Sequence, residues 1–188
     1  MFKVSLRPTV LLLAVGIFGL AGCSGSTPAA SPAPSADAPT NTSGENKATS
    51  TAAATAAIDP CSLLHLSDLT QYGSFTGPAP KSLGGARTCG FQRKLASASD
   101  AELGVSINVR DKQGISTVTD VGDGLVPGKV NGRGSVKASS SGSSACVVAL
   151  AVGDKARVDV SITADTAQIA CKVADNLANV VELRLPKS

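Results

Sequence analysis

Between residues 24 and 57 the chain contains almost nothing that can be usefully buried: 27 of these 34 residues are Ala, Ser, Thr or Pro. Such a tract cannot remove enough apolar surface from water to offset the entropy of ordering it. Whatever folds is therefore expected within residues 58–188, which is room for one core and one domain. The tract itself reads as a tether from residue 23 to 57. A flexible chain of that length spans roughly 30 to 35 Å on a square-root scaling of about 5 to 6 Å. Its Ser, Thr and Pro content also suits O-glycosylation.

Ahead of the tether stands a segment with a different job. Lys3 and Arg7 form a positive start, and residues 10–21 are an apolar run of 12, too short for the roughly 20 residues of a spanning helix but of secretory-signal length. Residues 1–22 are read as a signal peptide. Leu20, Ala21 and Gly22 before Cys23 resemble the lipobox of bacterial lipoproteins, in which the cysteine thiol receives a diacylglyceryl group and becomes the acylated N-terminus. Two or three acyl chains hold a protein stably where one holds it only reversibly. The expected location is the cell membrane, lipid-anchored through palmitate-type chains at Cys23 on the extracytoplasmic face.

Charge and ring content exclude some partners. The net charge of +3 includes Lys3 and Arg7, and without them 15 basic residues face 14 acidic ones. No basic footprint for nucleic acid is present. Aromatic residues make up 3% of the chain, with no Trp, which leaves little for a base-stacking platform or a carbohydrate shelf.

Within the folded part the hydrophobic period changes twice. Asp59 followed by Pro60 reads as an N-cap and first helical position, with Leu63, Leu64, Leu66 and Leu69 supplying an apolar side and Gly73 a stop. Near the end, Asp165 and Gln168 resemble a capping box, and Ile169, Val173, Leu177 and Val180 recur at helical spacing before Pro186. Between these helices the period is two. Leu103, Val105, Ile107 and Val109 alternate with small or polar residues, as do Val158, Val160 and Ile162. The apolar run 146–152 reads as an interior strand joined by Gly153 and Asp154 to the next one in a hairpin, and 87–93 and 133–138 are weaker strands. The expected fold is α+β: an antiparallel sheet of about five strands with an N-terminal and a C-terminal helix packed on one face.

Beyond Cys23 there are four cysteines, Cys61, Cys89, Cys146 and Cys171, an even number on the oxidising side of a membrane. Two disulfides are expected. A zinc site would need close cysteine pairs or histidine partners, and the separations are 28, 57 and 25 with one His. Pairing neighbours, Cys61 with Cys89 and Cys146 with Cys171, closes the shortest loops, each worth about 3.5 kcal/mol by chain entropy. The rival, Cys61 with Cys171 and Cys89 with Cys146, would join helix to helix and strand to strand.

Reaction motifs are absent. His65 with Asp68 has the form of an oriented base but no nucleophile to serve. Gly114-Ile115-Ser116-Thr117-Val118 lacks the second glycine of a serine elbow. Gly122-Asp123-Gly124 leads to Pro127 where a phosphate-binding helix would begin, and Asp120 and Asp123 lack the ladder of ligands a calcium loop supplies. No catalytic residue, no cofactor and no metal ligand is expected, and the protein is not expected to be an enzyme.

The order of "IDPCSLL" from Ile58, Phe91 two residues after Cys89, Val130 to Gly134 as "V-x-G-x-G", "CVVALAV", and "ACKVADNLANVV" before "LP" is similar to the actinobacterial lipoprotein family known as domain of unknown function 3558. The resemblance covers Ile58 to Pro186. It implies a cell-envelope location and a small α+β fold, and no activity. The family usually has Thr and Glu where His65 and Asp68 stand, which implies a capping role there, and commonly Trp where Phe91 stands. What remains is a non-catalytic binding or accessory module of the envelope, contacting an unknown envelope protein or ligand through residues 73–85 and 120–134, both read as loops. A carrier of a small apolar molecule such as a lipid, held between sheet and helices, is the alternative, and an envelope hydrolase a more distant one.

Overall fold

The computed structural model describes residues 55–187. The signal segment, Cys23 and nearly all of the tether lie outside the described residues. Seven strands form one antiparallel sheet: β1 (Phe75–Leu83), β2 (Ala86–Arg93), β3 (Leu103–Arg110), β4 (Leu125–Val130), β5 (Arg133–Ser140), β6 (Ala145–Ala151) and β7 (Arg157–Ala164). Their spatial order is β1-β2-β3-β7-β6-β5-β4. One α-helix, α1 (Ala167–Glu182), follows β7. Among the described residues no helix is long and apolar enough to cross a membrane.

The alternation in sequence becomes a difference between the two faces of the sheet. Leu103, Val105, Ile107 and Val109 of β3 pair directly with Ala164, Ile162, Val160 and Val158 of β7, and each of these rows points its side chains to the same side. α1 covers that side over β6 and β7. Ile107, Val109, Val158 and Val160 are buried completely, each contributing about 1.5 to 3 kcal/mol of transfer free energy. The opposite side carries Gly104, Ser106 and Asn108 from β3, and Asp159, Ser161 and Thr163 from β7.

The sheet has seven strands rather than about five, because the two outermost strands carry no alternating apolar signal. Among the described residues β1 and β4 are the edges, and eight of nine residues in β1 and five of six in β4 are exposed. With nearly all of their residues exposed, neither alternates. Pro78, Pro80 and Pro127 lie inside them, which an edge strand tolerates because a ladder bond is not demanded on its outer side. Residues 73–85 and 120–134, read as loops, therefore hold edge strands.

The N-terminal helix is also corrected. In its place stand two short 3-10 helices, Pro60–Ser62 and Leu66–Tyr72. Asp59 does cap, its carboxylate accepting from the Cys61 N–H at 2.9 Å. The helix stops there because the Leu63 carbonyl accepts from Arg184 at 3.0 Å and His65 has extended backbone, φ −116° and ψ 158°. The first packs against β1, β2 and β3 and the second against β1, on the side of the sheet that α1 covers, where Leu63, Leu64 and Leu69 are buried. Contacts reach back to Thr55, inside the tract read as tether; Thr55 is buried and its carbonyl accepts from Arg87 at 2.7 Å.

At the C-terminal helix the cap is Thr166, whose hydroxyl accepts from the Ile169 N–H at 3.3 Å, while Asp165 accepts from the Glu102 N–H. The buried stripe also differs from the one read from the sequence. Ala170, Val173, Ala174, Leu177, Ala178 and Val181 face the core, and Ile169 stands 48% exposed. The three alanines recur every fourth residue and let the helix approach the sheet closely.

Candidate functional site

Each disulfide ties a helical element to the sheet. Cys61 is bonded to Cys89, holding the first 3-10 helix on β2, and Cys146 to Cys171, holding α1 on β6. Of the three connectivities open to the sequence, this is the local one. Both bonds lie on the helix-covered side, so the opposite side is left with different neighbours.

Part of that opposite side is roofed. Residues 111–124 run from β3 to the far edge β4, passing β7, β6 and β5, and the 3-10 helix Ile115–Thr117 inside them rests on β5 and β6. Buried charge fastens the crossing. Asp159, 4% exposed, accepts from Arg110 at 2.6 Å and from Arg157 at 2.7 Å. Arg157 also donates to the Gly114 carbonyl and the Thr117 hydroxyl, at 2.9 and 2.8 Å, and Arg110 to the Gly84 carbonyl in the β1–β2 turn. Two guanidinium groups share this one carboxylate, so the cluster keeps a net positive charge, which the carbonyls of Gly84 and Gly114 and the Thr117 hydroxyl help to offset as acceptors.

Beyond the roof the sheet lies open over β1, β2, β3 and β7 as a groove of about 590 Å³, within the usual range for a ligand site. The floor is low because Gly90 and Gly104 lack side chains. One wall is β1, whose pairing with β2 is irregular between Thr76 and Ala79. Along the floor runs a hydrogen-bonded ladder in which Thr88 donates to Asn108 at 2.9 Å and Asn108 to Ser161 at 3.0 Å. Gln92, Ser106 and Thr163 complete the polar lining, and Lys81 is its one formal charge. Lys81, Ser106 and Thr163 make no side-chain hydrogen bond or ion pair among the described residues. A rigid, concave surface with uncommitted donors and acceptors is suited to binding.

The lining residues of β1, Lys81 among them, fall within the stretch 73–85 expected to make contacts, whereas those of β2, β3 and β7 did not stand out as a site in the sequence. The available signal was a glycine inside each of two strands, a position where close approach of another backbone is one explanation. The cleft between sheet and helices, where an apolar ligand would have to sit, is filled by Leu64, Leu69, Ile107, Leu150 and Leu177.

The residues weighed for chemistry are engaged in structure. The Asp68 carboxylate accepts from the His65 backbone N–H at 2.8 Å, not from its ring, and is held by Arg184 at 2.6 and 3.0 Å. The hydrogen bond from Arg184 is the main reason its pKa lies below the usual carboxylate range, against an opposing effect of burial. Asp68 thus closes the turn at His65. Asp120 accepts from the Gly122 and Gly124 N–H groups, and Asp123 from the Ser141 N–H and hydroxyl, so both act as turn anchors. Ser116 lies in the 3-10 helix of the crossing. Among the described residues no group of three or more His, Cys, Asp or Glu side chains could hold a metal ion. Cys23 lies outside the described residues.

A family model described as Protein of unknown function (DUF3558) matches residues 18–183. No curated protein and no solved structure matches.

Proposed function

We propose that this chain, which belongs to the DUF3558 family of proteins of unknown function, is a lipid-anchored, non-catalytic binding module on the extracytoplasmic face of the cell membrane. The groove on the open sheet face is its contact surface. The groove carries the reading: it joins uncommitted polar groups to a scaffold that two disulfides and a buried ion network make rigid. The anchor is Cys23, and support comes from the signal-like run before it, the lipobox-like residues Leu20 to Gly22, and a family match that begins at residue 18 and so includes it. A tether between anchor and domain raises the effective concentration of the groove near membrane neighbours. Non-catalytic use is supported by the engagement of Asp68 with Arg184 and with the His65 backbone, which leaves the His65 ring without an orienting carboxylate.

The test is photo-crosslinking in the intact envelope. A crosslinking residue at Ser106 in the full-length protein should give a discrete adduct, and one at Asn176, on the exposed side of α1, should not. Hydrolysis of an envelope ester or peptide that is lost in His65→Ala would overturn the non-catalytic reading.

A further inference from the structure

Gly90 lies in the interior of β2, paired with Ser106 of β3 and Ala79 of β1. Its backbone does not have the positive φ that favours glycine, and a Cβ built there would meet nothing closer than the Ala79 carbonyl oxygen at 3.8 Å and the end of Lys81 at 3.9 Å. Neither conformation nor crowding requires glycine at this position, although glycine weakens a strand interior. Gly104 differs, since a Cβ there would lie 2.6 Å from the Thr163 hydroxyl. Packing accounts for Gly104. What Gly90 adds is depth in the floor of the groove, which lets another backbone come close.

The lining narrows the class of ligand. Its one charge, Lys81, is positive, no carboxylate lines the groove, and the hydroxyls of Ser106 and Thr163 are uncommitted among the described residues. Phe91, the one aromatic residue of the lining, is 3% exposed, so it offers no ring face for stacking on a sugar. Hydroxyls and an amide instead match the alternating donors and acceptors of an extended peptide.

We propose that the groove receives an extended, acidic peptide segment of a partner protein, its backbone lying against Gly90 and a carboxylate pairing with Lys81. This rests on the groove being the contact surface. Main-chain groups of the peptide pair with Ser106, Thr163 and Gln92, and Lys81 sets the preference for acid over amide.

Full-length protein in detergent is incubated with an array of hexapeptides in which Asp or Glu is placed at each position, beside the same series with Asn or Gln, and with a glycan array. Acidic peptides should bind, and their affinity should fall about tenfold or more in Gly90→Val. In Lys81→Gln the acidic and amide series should bind alike. Both variants should keep the thermal midpoint of the wild type or exceed it. If Gly90→Val does not fold, Gly90→Ala, for whose Cβ there is room, takes its place. Peptide binding that is unchanged in a folded Gly90 variant, equal binding of acid and amide series by the wild type, or binding to glycans alone would each overturn the proposal, as would no binding. The Ser106 adduct separates the two failures. If it persists, the contact surface stands and the acidic peptide falls; without it both fall.

Discussion

Arg133 is a side chain whose loss the structure cannot absorb. It is 5% exposed in β5 and donates to Glu182 of α1 at 3.1 Å, to the Ala151 carbonyl at 2.9 Å and to the Pro186 carbonyl at 2.7 Å. Arg133→Met would leave the Glu182 carboxylate buried and unpaired, which costs about 3 to 5 kcal/mol. Urea unfolding should show that loss, and Arg133→Met with Glu182→Leu should recover a large part of it. Asp68 gives a pH-dependent counterpart. Arg184, through its hydrogen bond, lowers the pKa of Asp68 from its ordinary 3.8. A group whose folded value is depressed stabilises the fold above the unfolded value and loses that contribution as pH falls through the folded one. The difference in unfolding free energy between wild type and Arg184→Gln should therefore be on the order of 1 kcal/mol near neutrality and shrink below about pH 4. A difference independent of pH down to 2 would contradict it. The Arg87–Asp111 pair, with the carboxylate likewise lowered by its hydrogen bond from the arginine, acts in the same sense.

At the scale of elements, the seat of α1 on the sheet is set by which of its faces is buried. With Thr166 as the cap, Ile169 is exposed and Ala174 is fully buried. Ile169→Glu should then change stability by less than about 0.5 kcal/mol, whereas Ala174→Leu should cost about 1 to 3 kcal/mol by overpacking. The opposite order in thermal unfolding would mean that the helix packs by the periodicity of Ile169 and Val180. The same helix is stapled to β6 across a separation of 25 residues. Replacing Cys146 and Cys171 together by alanine should cost about 3.5 kcal/mol by the chain-entropy estimate, and alkylation of the native protein should find no free thiol among the four domain cysteines. At the edges, Pro78, Pro80 and Pro127 interrupt the rows of backbone donors that would otherwise recruit another strand, which leaves the groove, rather than strand addition, as the surface for recognition.

For the whole molecule, anchoring and binding are separable in the proposed scheme. Cys23→Ala should release the processed protein from the membrane fraction while its thermal unfolding midpoint stays unchanged, since the residues that pack begin by Thr55; processed protein that stays membrane-bound would exclude the lipid anchor. Composition and period alone determined that the fold is α+β, that Leu103 to Val109 and Val158 to Ile162 are strands with one buried side, and that a helix closes the chain. These are local properties, because burial of one face imposes its period on the residues that make it. The edge strands β1 and β4 carry no such imprint, since nearly all of their residues are exposed. The break at Leu63 was equally unreadable, because the group that takes its carbonyl, Arg184, is 121 residues away. The groove was decided only by the tertiary structure: its floor and wall come from four strands, and β7 reaches its place beside β3 only after the chain has crossed to the far edge and returned. Gly90, Gly104 and Lys81 are ordinary residues in sequence. They become a site because strand order sets them side by side on the face that no helix covers.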